Sequence, residues 1–274
     1  MSGSSTERRH PRAASLGART PPALTVRLLL AEERKAVAAV TRVAAQLAVA
    51  CEKVATALGD GGRLIYVGAG TSGRLGTLDA AECGPTFGAS PRQVLAIIAG
   101  GPRALRRSAE GAEDDGAAGR AAMRRLRLRP RDVVCGITAS GKTPYVRAAL
   151  AAARARGAFT VLLSCNPAQA RGGAALVIAA DTGPELVAGS TRLKAGTATK
   201  LMLNALSTGA FTRLGRVERG RMVALRARNR KLERRAIAIL EEATGCSGAA
   251  ARAALVGAQG DVALALRRLR AATR

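Results

Sequence analysis

The apolar positions keep two different rhythms along the chain. From about Leu24 to Leu58, Leu28, Val37, Val40, Val43, Leu47 and Val54 recur at spacings of three, four or their multiples, which predicts one long amphipathic helix. Gly59-Asp60-Gly61-Gly62 ends it. Short apolar runs then appear at Leu64-Val67, Val94-Ile98, Val133-Ile137, Val161-Ser164 and Leu176-Ala179, bounded by Gly, Ser, Thr or Pro. Continuously apolar strands separated by helix-like stretches predict a parallel sheet covered on both faces, an α/β doubly wound core over about residues 60–215. Beyond Thr191 the pattern is helical: Arg192 to Leu214, Asn229 to Thr244, then two short helices near 247–257 and 261–271 packed around Leu255, Val262 and Leu264. Residues 1–22, rich in Ser, Gly, Arg and Pro, read as a flexible arm. The expected division is this arm, a domain over 23–215, and a helical tail over 216–274.

Composition narrows the function classes. The 274 residues carry 44 Lys+Arg against 19 Asp+Glu, a net charge of +25, and only six of the cations are lysines. Aromatic residues are 2% with no Trp, so the core must be built from Ala, Val, Leu and Ile. The charge suits a nucleic-acid binder, but the arginines are spread along the whole chain and few rings exist for bases to stack on. A solvated arginine surface is the preferred reading, with nonspecific sticking to polyanions at low salt and no specific nucleic-acid partner. No run approaches the roughly 18–20 apolar residues of a membrane span, and Leu28-Leu29-Leu30, flanked by Arg27 and by Glu32-Glu33-Arg34, is no secretory signal. Five cysteines without CxxC spacing and a single histidine, His10 in the polar arm, argue against a disulfide framework, a metal site and histidine acid/base chemistry. The expectation is a soluble, reduced, cytoplasmic protein without metal or cofactor.

Three glycine- and hydroxyl-bearing segments follow predicted strands: Gly68-Ala69-Gly70-Thr71-Ser72-Gly73-Arg74, Thr138-Ala139-Ser140-Gly141-Lys142-Thr143-Pro144, and Gly189-Ser190-Thr191-Arg192-Leu193-Lys194-Ala195-Gly196-Thr197. In open α/β sheets ligands bind where strands end and helices begin, because unpaired amides there favour anions. Gly68, Gly70 and Gly73 match G-x-G-x-x-G, yet about 20 residues on Phe87-Gly88-Ala89 stands where a dinucleotide fold places its ribose carboxylate. No Walker lysine follows any of the loops. Hydroxyls dominate, which suits a compact phosphomonoester.

Acid/base work then falls to carboxylates. Glu82, in Leu78-Asp79-Ala80-Ala81-Glu82-Cys83, has apolar or small neighbours, which point to partial burial and a raised pKa, while composition alone slightly favours an exposed helix-end glutamate. Glu110, Glu113, Asp114 and Asp115 crowd into six residues. Asp114 or Asp115 suits the cap of the helix running into Ala121-Met123, leaving Glu110 and Glu113 for other work. From the residues alone the reading stops at a phosphosugar site with an acid/base pair.

The run Gly62 to Cys83 closely resembles the N-acetylmuramic acid 6-phosphate etherase family. So do Glu110-Gly-Ala-Glu-Asp114, Ala139-Ser-Gly-Lys-Thr-Pro-Tyr-Val146 and Gly189-Ser-Thr-Arg-Leu-Lys-Ala-Gly-Thr-Ala198. The likeness covers about Gly62 to Leu214 and continues loosely through Ala243-Thr-Gly-Cys-Ser247. It implies a sugar isomerase (SIS) domain with a flavodoxin-like parallel sheet and a tail resembling a ubiquitin-associated bundle. The implied reaction is a lyase cleavage of the D-lactyl ether by elimination and then hydration, in cell-wall amino sugar catabolism or recycling, by a homodimer without cofactor. By the same resemblance Glu82 matches the proton donor and Glu113 the second catalytic glutamate, taken as the base. Gly70, Thr71, Ser72, Gly73, Ser140, Gly141 and Thr143 match the phosphate-binding loops, and Ser190, Thr191 and Lys194 are candidate substrate-lining residues. Two acids with different tasks need different pKa values: Glu82 is expected raised and Glu113 ionised.

The chain departs from the pattern where the family usually reads Gly-Asn-Leu-Met-Val-Asp and this sequence has Arg219-Gly220-Arg221-Met222-Val223-Ala224. Arg228-Asn229-Arg230-Lys231-Leu232 and Gly84 after Cys83 differ as well. The alternative is a non-catalytic phosphosugar-binding regulator on the same fold, against which both glutamates argue. An isomerase lacks this wording, and a nucleic-acid-binding regulator would need a helix-turn-helix that residues 1–60 do not offer.

Overall fold

The computed structural model describes residues 6, 8–224, 227 and 230–272. It divides into two compact units, one formed by Met1–Ala80 and Arg92–Ala210, the other by Ala81–Pro91 and Phe211–Arg274.

The larger unit opens with α1 (Pro22–Thr41) and α2 (Ala44–Gly59). The periodicity predicts one helix here; the structure breaks it at Arg42 and Val43. Val43 leaves helical geometry (φ −107°, ψ 16°) and is buried, while the Arg42 guanidinium donates to the Asp181 carbonyl at 3.2 Å. A parallel sheet follows, made of β1 (Leu64–Gly68), β2 (Val94–Ile98), β3 (Val133–Ile137), β4 (Phe159–Ser164) and β5 (Leu176–Ala179) in the order β2-β1-β3-β4-β5. All five lie within two residues of the predicted runs. Helices α3 (Gly70–Phe87), α4 (Gly116–Arg125), α5 (Pro144–Arg154) and α6 (Lys194–Arg213) complete the doubly wound arrangement. α3 and α6 each continue across the division between units.

The poverty in aromatics is met by close approach of small residues. Every residue of β1 and β3 is buried, and Ile65, Val67, Val134 and Leu162 pack with Val146, Ala149, Leu150 and Ala153 of α5. Gly136, in mid-strand, is what lets α5 come this near: a Cβ there would lie 2.7 Å from both Leu150 Cδ1 and Val146 Cγ1. Each fully buried Val, Leu or Ile contributes about 1.5–3 kcal/mol.

The smaller unit contains the ends of α3 and α6, a two-stranded hairpin of β6 (Val217–Glu218) and β7 (Arg221–Met222), and α7 (Arg230–Thr244), α8 (Gly248–Gly257) and α9 (Val262–Ala272). Its core holds Leu240, Ala251, Leu255, Val262 and Leu266, with Leu264 partly buried against them. Phe87 stacks on Phe211 with ring centroids 4.7 Å apart, worth about 0.5–1.5 kcal/mol beyond area burial. The hairpin falls in the divergent 219–224 segment and is too short to show in a pattern of period two. Its two-residue loop, Arg219 (φ 49°) and Gly220 (φ 76°), has positive φ at both central positions, as the twist of a tight hairpin requires. Residues 225, 226, 228 and 229 of the divergent stretch lie outside the described residues.

The arm is tied down from Thr6 onward in the described residues. The Thr6 carbonyl accepts from the Gly189 amide at 3.2 Å, His10 is only 5% exposed, and Pro11–Ser15 form a 3-10 turn. His10, placed by composition in a polar tail, is therefore part of the interior.

Candidate functional site

The strand order reverses between β1 and β3, and ligands in open α/β sheets bind outside the carboxyl ends of the strands at such a switch point. β1 and β3 run in parallel with Gly68 opposite Ile137, so the first and second hydroxyl loops leave the sheet at the same level.

The first loop is short because its glycines let strand and helix close on each other. A Cβ on Gly68 would lie 2.6 Å from the Gly73 nitrogen, and one on Gly73 would lie 2.5 Å from Ile98 Cγ1. The G-x-G-x-x-G spacing is thus explained by packing, without a dinucleotide. α3 begins at Gly70, so Thr71 and Ser72 occupy its first turn, half-buried, where backbone amides have no intrahelical acceptor and the helix dipole favours an anion.

The second loop carries a hydroxyl cluster. Thr138 Oγ1 lies 2.7 Å from Thr143 Oγ1 and 3.3 Å from Ser140 Oγ, and the Lys142 amide donates to Ser140 Oγ at 3.2 Å. Gly141 (φ 80°) turns the loop, and a Cβ there would lie 2.9 Å from the Ala170 nitrogen. Thr143 stands at the N-cap of α5 without a side-chain capping bond. Thr138 is buried and organises the other two hydroxyls. It is not among the residues that sequence reasoning assigns to the site, although its place as the first residue after β3 is the available signal.

The third loop meets the first. A Cβ on Gly196 would lie 3.3 Å from the Thr191 carbonyl and 3.7 Å from Thr71 Cγ2; Ser190 and Thr191 are half-buried. Lys194 corrects the expectation of a substrate-lining cation. It is 1% exposed, and its ammonium donates to Glu32 Oε2 at 2.7 Å, so the charge is spent inside the protein. Glu32 also takes Lys35 Nζ at 2.8 Å and lies 3.2 Å from His10 Nε2. Burial opposes its ionisation, but the bonds from Lys194 and Lys35 and the charge of Lys194 prevail and hold it at about 2. Beside them Glu185, buried, accepts the Ala195 amide at the start of α6 at 2.9 Å. Burial pushes its pKa up against that bond.

The carboxylates divide differently from the sequence expectation. Glu82 is exposed, where its apolar neighbours predicted partial burial. The buried face of α3 runs through Gly73, Gly76, Asp79, Cys83 and Phe87, so Asp79 takes the inward position. Asp79 accepts from Tyr66 Oη at 2.8 Å, Asn204 Nδ2 at 2.8 Å and Ser207 Oγ at 3.1 Å. Burial raises its pKa, and these three donors oppose the rise. Glu110 and Glu113 are exposed. The Glu113 carbonyl accepts the Tyr145 amide at 2.9 Å, which fixes its segment at the start of α5, beside the second loop. Asp115 caps α4, its side chain accepting the Ala118 amide at 2.8 Å. Among the described residues no group of three or more His, Cys, Asp and Glu is arranged to hold a metal ion, and no helix is long and apolar enough to cross a membrane. The arrangement offers hydroxyls and helix-start amides for a compact anion.

Comparison with known proteins gives a consistent result. Residues 46–154 match the family model of the glucokinase regulatory protein N-terminal SIS domain. The chain is 50% identical over 237 residues to the N-acetylmuramic acid 6-phosphate etherase of Jannaschia sp., covering 86% of this chain and 75% of that one. It is 54% identical over 227 residues to the protein of the same name from Nostoc punctiforme, 82% of this chain and 74% of that one. For that of Mesorhizobium japonicum the identity is 47% over 262 residues, 95% and 85% of the two chains. Among solved structures, a ligand complex of an E. coli CFT073 protein superposes with a TM-score of 0.51 at 17% identity, over 73% of this chain and 95% of that one. A Bacteroides fragilis protein assigned as a phosphosugar isomerase involved in capsule formation gives 0.53 at 16%, with the same coverage. These two likenesses show the SIS-type α/β fold.

Proposed function

The chain belongs to the N-acetylmuramic acid 6-phosphate etherase family, and from that premise we propose that it is a carbon–oxygen lyase converting N-acetylmuramic acid 6-phosphate and water to N-acetylglucosamine 6-phosphate and D-lactate. The observation that carries this reading is identity of about half over most of the chain to relatives bearing that name. The hydroxyl loops at the β1/β3 switch point support it, since hydroxyls and helix-start amides suit a compact phosphomonoester.

In this reading the phosphate sits on the first turn of α3 and on the second loop, taken by Gly70, Thr71, Ser72 and Gly73 with Ser140, Gly141 and Thr143. Thr138 positions the Ser140 and Thr143 hydroxyls. The sugar reacts in its open-chain form, whose aldehyde acidifies the proton on carbon 2. Glu113 removes that proton, the electron pair forms the carbon 2–carbon 3 double bond, and the carbon 3–oxygen bond breaks as Glu82 protonates departing lactate. Water then adds at carbon 3, and the proton returns to carbon 2. Exposure of Glu82 and Glu113 leaves both carboxylates accessible to a substrate. The active species is proposed to be a cytoplasmic homodimer.

The test is D-lactate release from N-acetylmuramic acid 6-phosphate, with Glu82→Gln and Glu113→Gln beside the native chain. Turnover should fall by roughly 10²–10⁴ in either variant, the range for loss of a general acid or base, while N-acetylglucosamine 6-phosphate still binds. No lactate from the native chain would sink the reading, and equal loss of binding and turnover would sink the two roles.

A further inference from the structure

At the amino-terminal edge of the sheet, opposite the switch-point loops, lies a cavity of about 490 Å³ whose walls include Arg63, Arg92, Arg127 and Arg129, with Leu95 and Leu126 as its apolar part. Among the described residues no carboxylate lines it. The volume falls within the roughly 300–1,000 Å³ usual for small-ligand pockets. Five-residue strands separate it from the first and second loops by roughly 13 Å.

Two of the arginines, Arg63 and Arg129, are held by a buried support. Asp132 is fully buried and takes Arg63 Nη2 at 2.5 Å, Arg63 Nε at 3.1 Å, and the Arg63 and Arg129 amides at 3.1 and 2.9 Å. Arg129 Nη2 stands 3.6 Å away. Arg63 in turn donates to the Leu126 carbonyl at 3.2 Å and the Arg127 carbonyl at 3.3 Å, just past the end of α4. That grip holds Arg127 at φ 47°, a left-handed conformation that costs a side-chain-bearing residue of order 1–3 kcal/mol and persists where the surroundings over-determine it. Among the described residues the exposed Arg127 guanidinium has neither hydrogen bond nor ion pair. One inner carboxylate thus holds Arg63 and Arg129, Arg63 in turn fixes the backbone at Arg127, and that strained backbone presents the Arg127 guanidinium unpartnered.

We propose that this cavity is a second anion site, which takes a small molecule bearing a di- or triphosphate group, with its apolar part against Leu95 and Leu126. Forked guanidiniums pair with phosphate oxygens bidentately, whereas the neutral donors of the switch-point loops suit a single phosphomonoester. The site stands independently of the etherase reading.

Isothermal titration of the full chain with inorganic pyrophosphate at constant ionic strength tests it, alone and saturated with N-acetylglucosamine 6-phosphate. One saturable site per chain should persist in the presence of the sugar phosphate. It should weaken about tenfold or more in Arg92→Ala/Arg127→Ala, since two charge-assisted contacts are removed; Arg127→Gln serves if the double variant does not fold. Displacement of pyrophosphate by the sugar phosphate would move it to the switch-point loops and overturn the proposal. So would an unchanged affinity in the variants, an equal loss in the distant control Arg252→Ala, or binding of an RNA oligonucleotide without binding of pyrophosphate. If the sugar phosphate itself fails to bind, the etherase reading suffers, while the variants still decide the second site.

Discussion

The two edges of the five-stranded sheet present hydrogen-bond donors of opposite kinds. At the carboxyl edge the donors are neutral: Thr71 and Ser72 in a helix first turn, and the Thr138, Ser140 and Thr143 hydroxyls clustered after β3. At the amino edge they are charged: four arginines line one cavity, and the buried Asp132 holds two of them, Arg63 and Arg129. Neutral donors give geometry with little long-range pull, so what binds there is chosen by shape and removed without a large electrostatic penalty. Arginines give a strong attraction at the cost of a buried counter-charge.

The contrast can be broken at its strongest point first. Asp132→Ala should leave Arg63 without its buried partner and cost about 3–5 kcal/mol, read as a fall in thermal midpoint; a loss below about 1 kcal/mol would mean that the amino edge does not depend on this carboxylate. At the other edge Thr138→Val should act on binding and hardly on stability. N-acetylglucosamine 6-phosphate should bind roughly two- to tenfold more weakly, the 0.5–1.5 kcal/mol of neutral hydrogen bonds that position Ser140 and Thr143, with the midpoint little changed. A large fall in stability with unchanged binding would remove Thr138 from the phosphate site.

Acid separates the edges without mutation. Hydroxyls do not titrate, whereas the bonds from Arg63 and Arg129 outweigh burial and hold Asp132 below the usual aspartate range. Its stabilisation is therefore complete above the unfolded aspartate value, near about 3.9, and is lost as pH falls through the lower folded value. Denaturant midpoints measured from pH 6 down to 2 should decline more steeply in the native chain than in Asp132→Asn, and parallel curves would refute the assignment. The smallest effect is expected at Arg127→Gly, which relieves the left-handed strain but loosens the unfolded chain. The net gain should be within about 1 kcal/mol. A loss above that would show that the guanidinium has a structural partner.

The sheet was legible because its strands are buried on both faces, so apolar runs bounded by Gly, Ser and Thr could be placed within two residues. The hydroxyl loops were legible for the same reason, since they follow those strands. What stayed hidden depends on partners distant in sequence. Lys194 reads as a substrate cation until Glu32, 162 positions earlier, is seen to hold it. His10 reads as solvated until the same carboxylate claims it. Local composition around Glu82 suggested burial, but helix phase, which puts Asp79 and Cys83 inward, leaves Glu82 outside. Ranking the acids of α3 by helical position before neighbour polarity would have found Asp79.

The bond from the Gly189 amide to the Thr6 carbonyl also has a meaning in time. The segment around Thr6 leaves the ribosome before its seat beside the third loop, which is made some 180 residues later, about 9–36 s at ordinary elongation rates of roughly 5–20 residues per second. Until then the sheet can begin to assemble from β1 to β5 while the third loop lacks its strap. Closing so long a loop adds a contact of high sequence separation, so the arm is expected to dock among the last events of folding, setting Ser190 and Thr191 only after the β1 and β3 loops are in place.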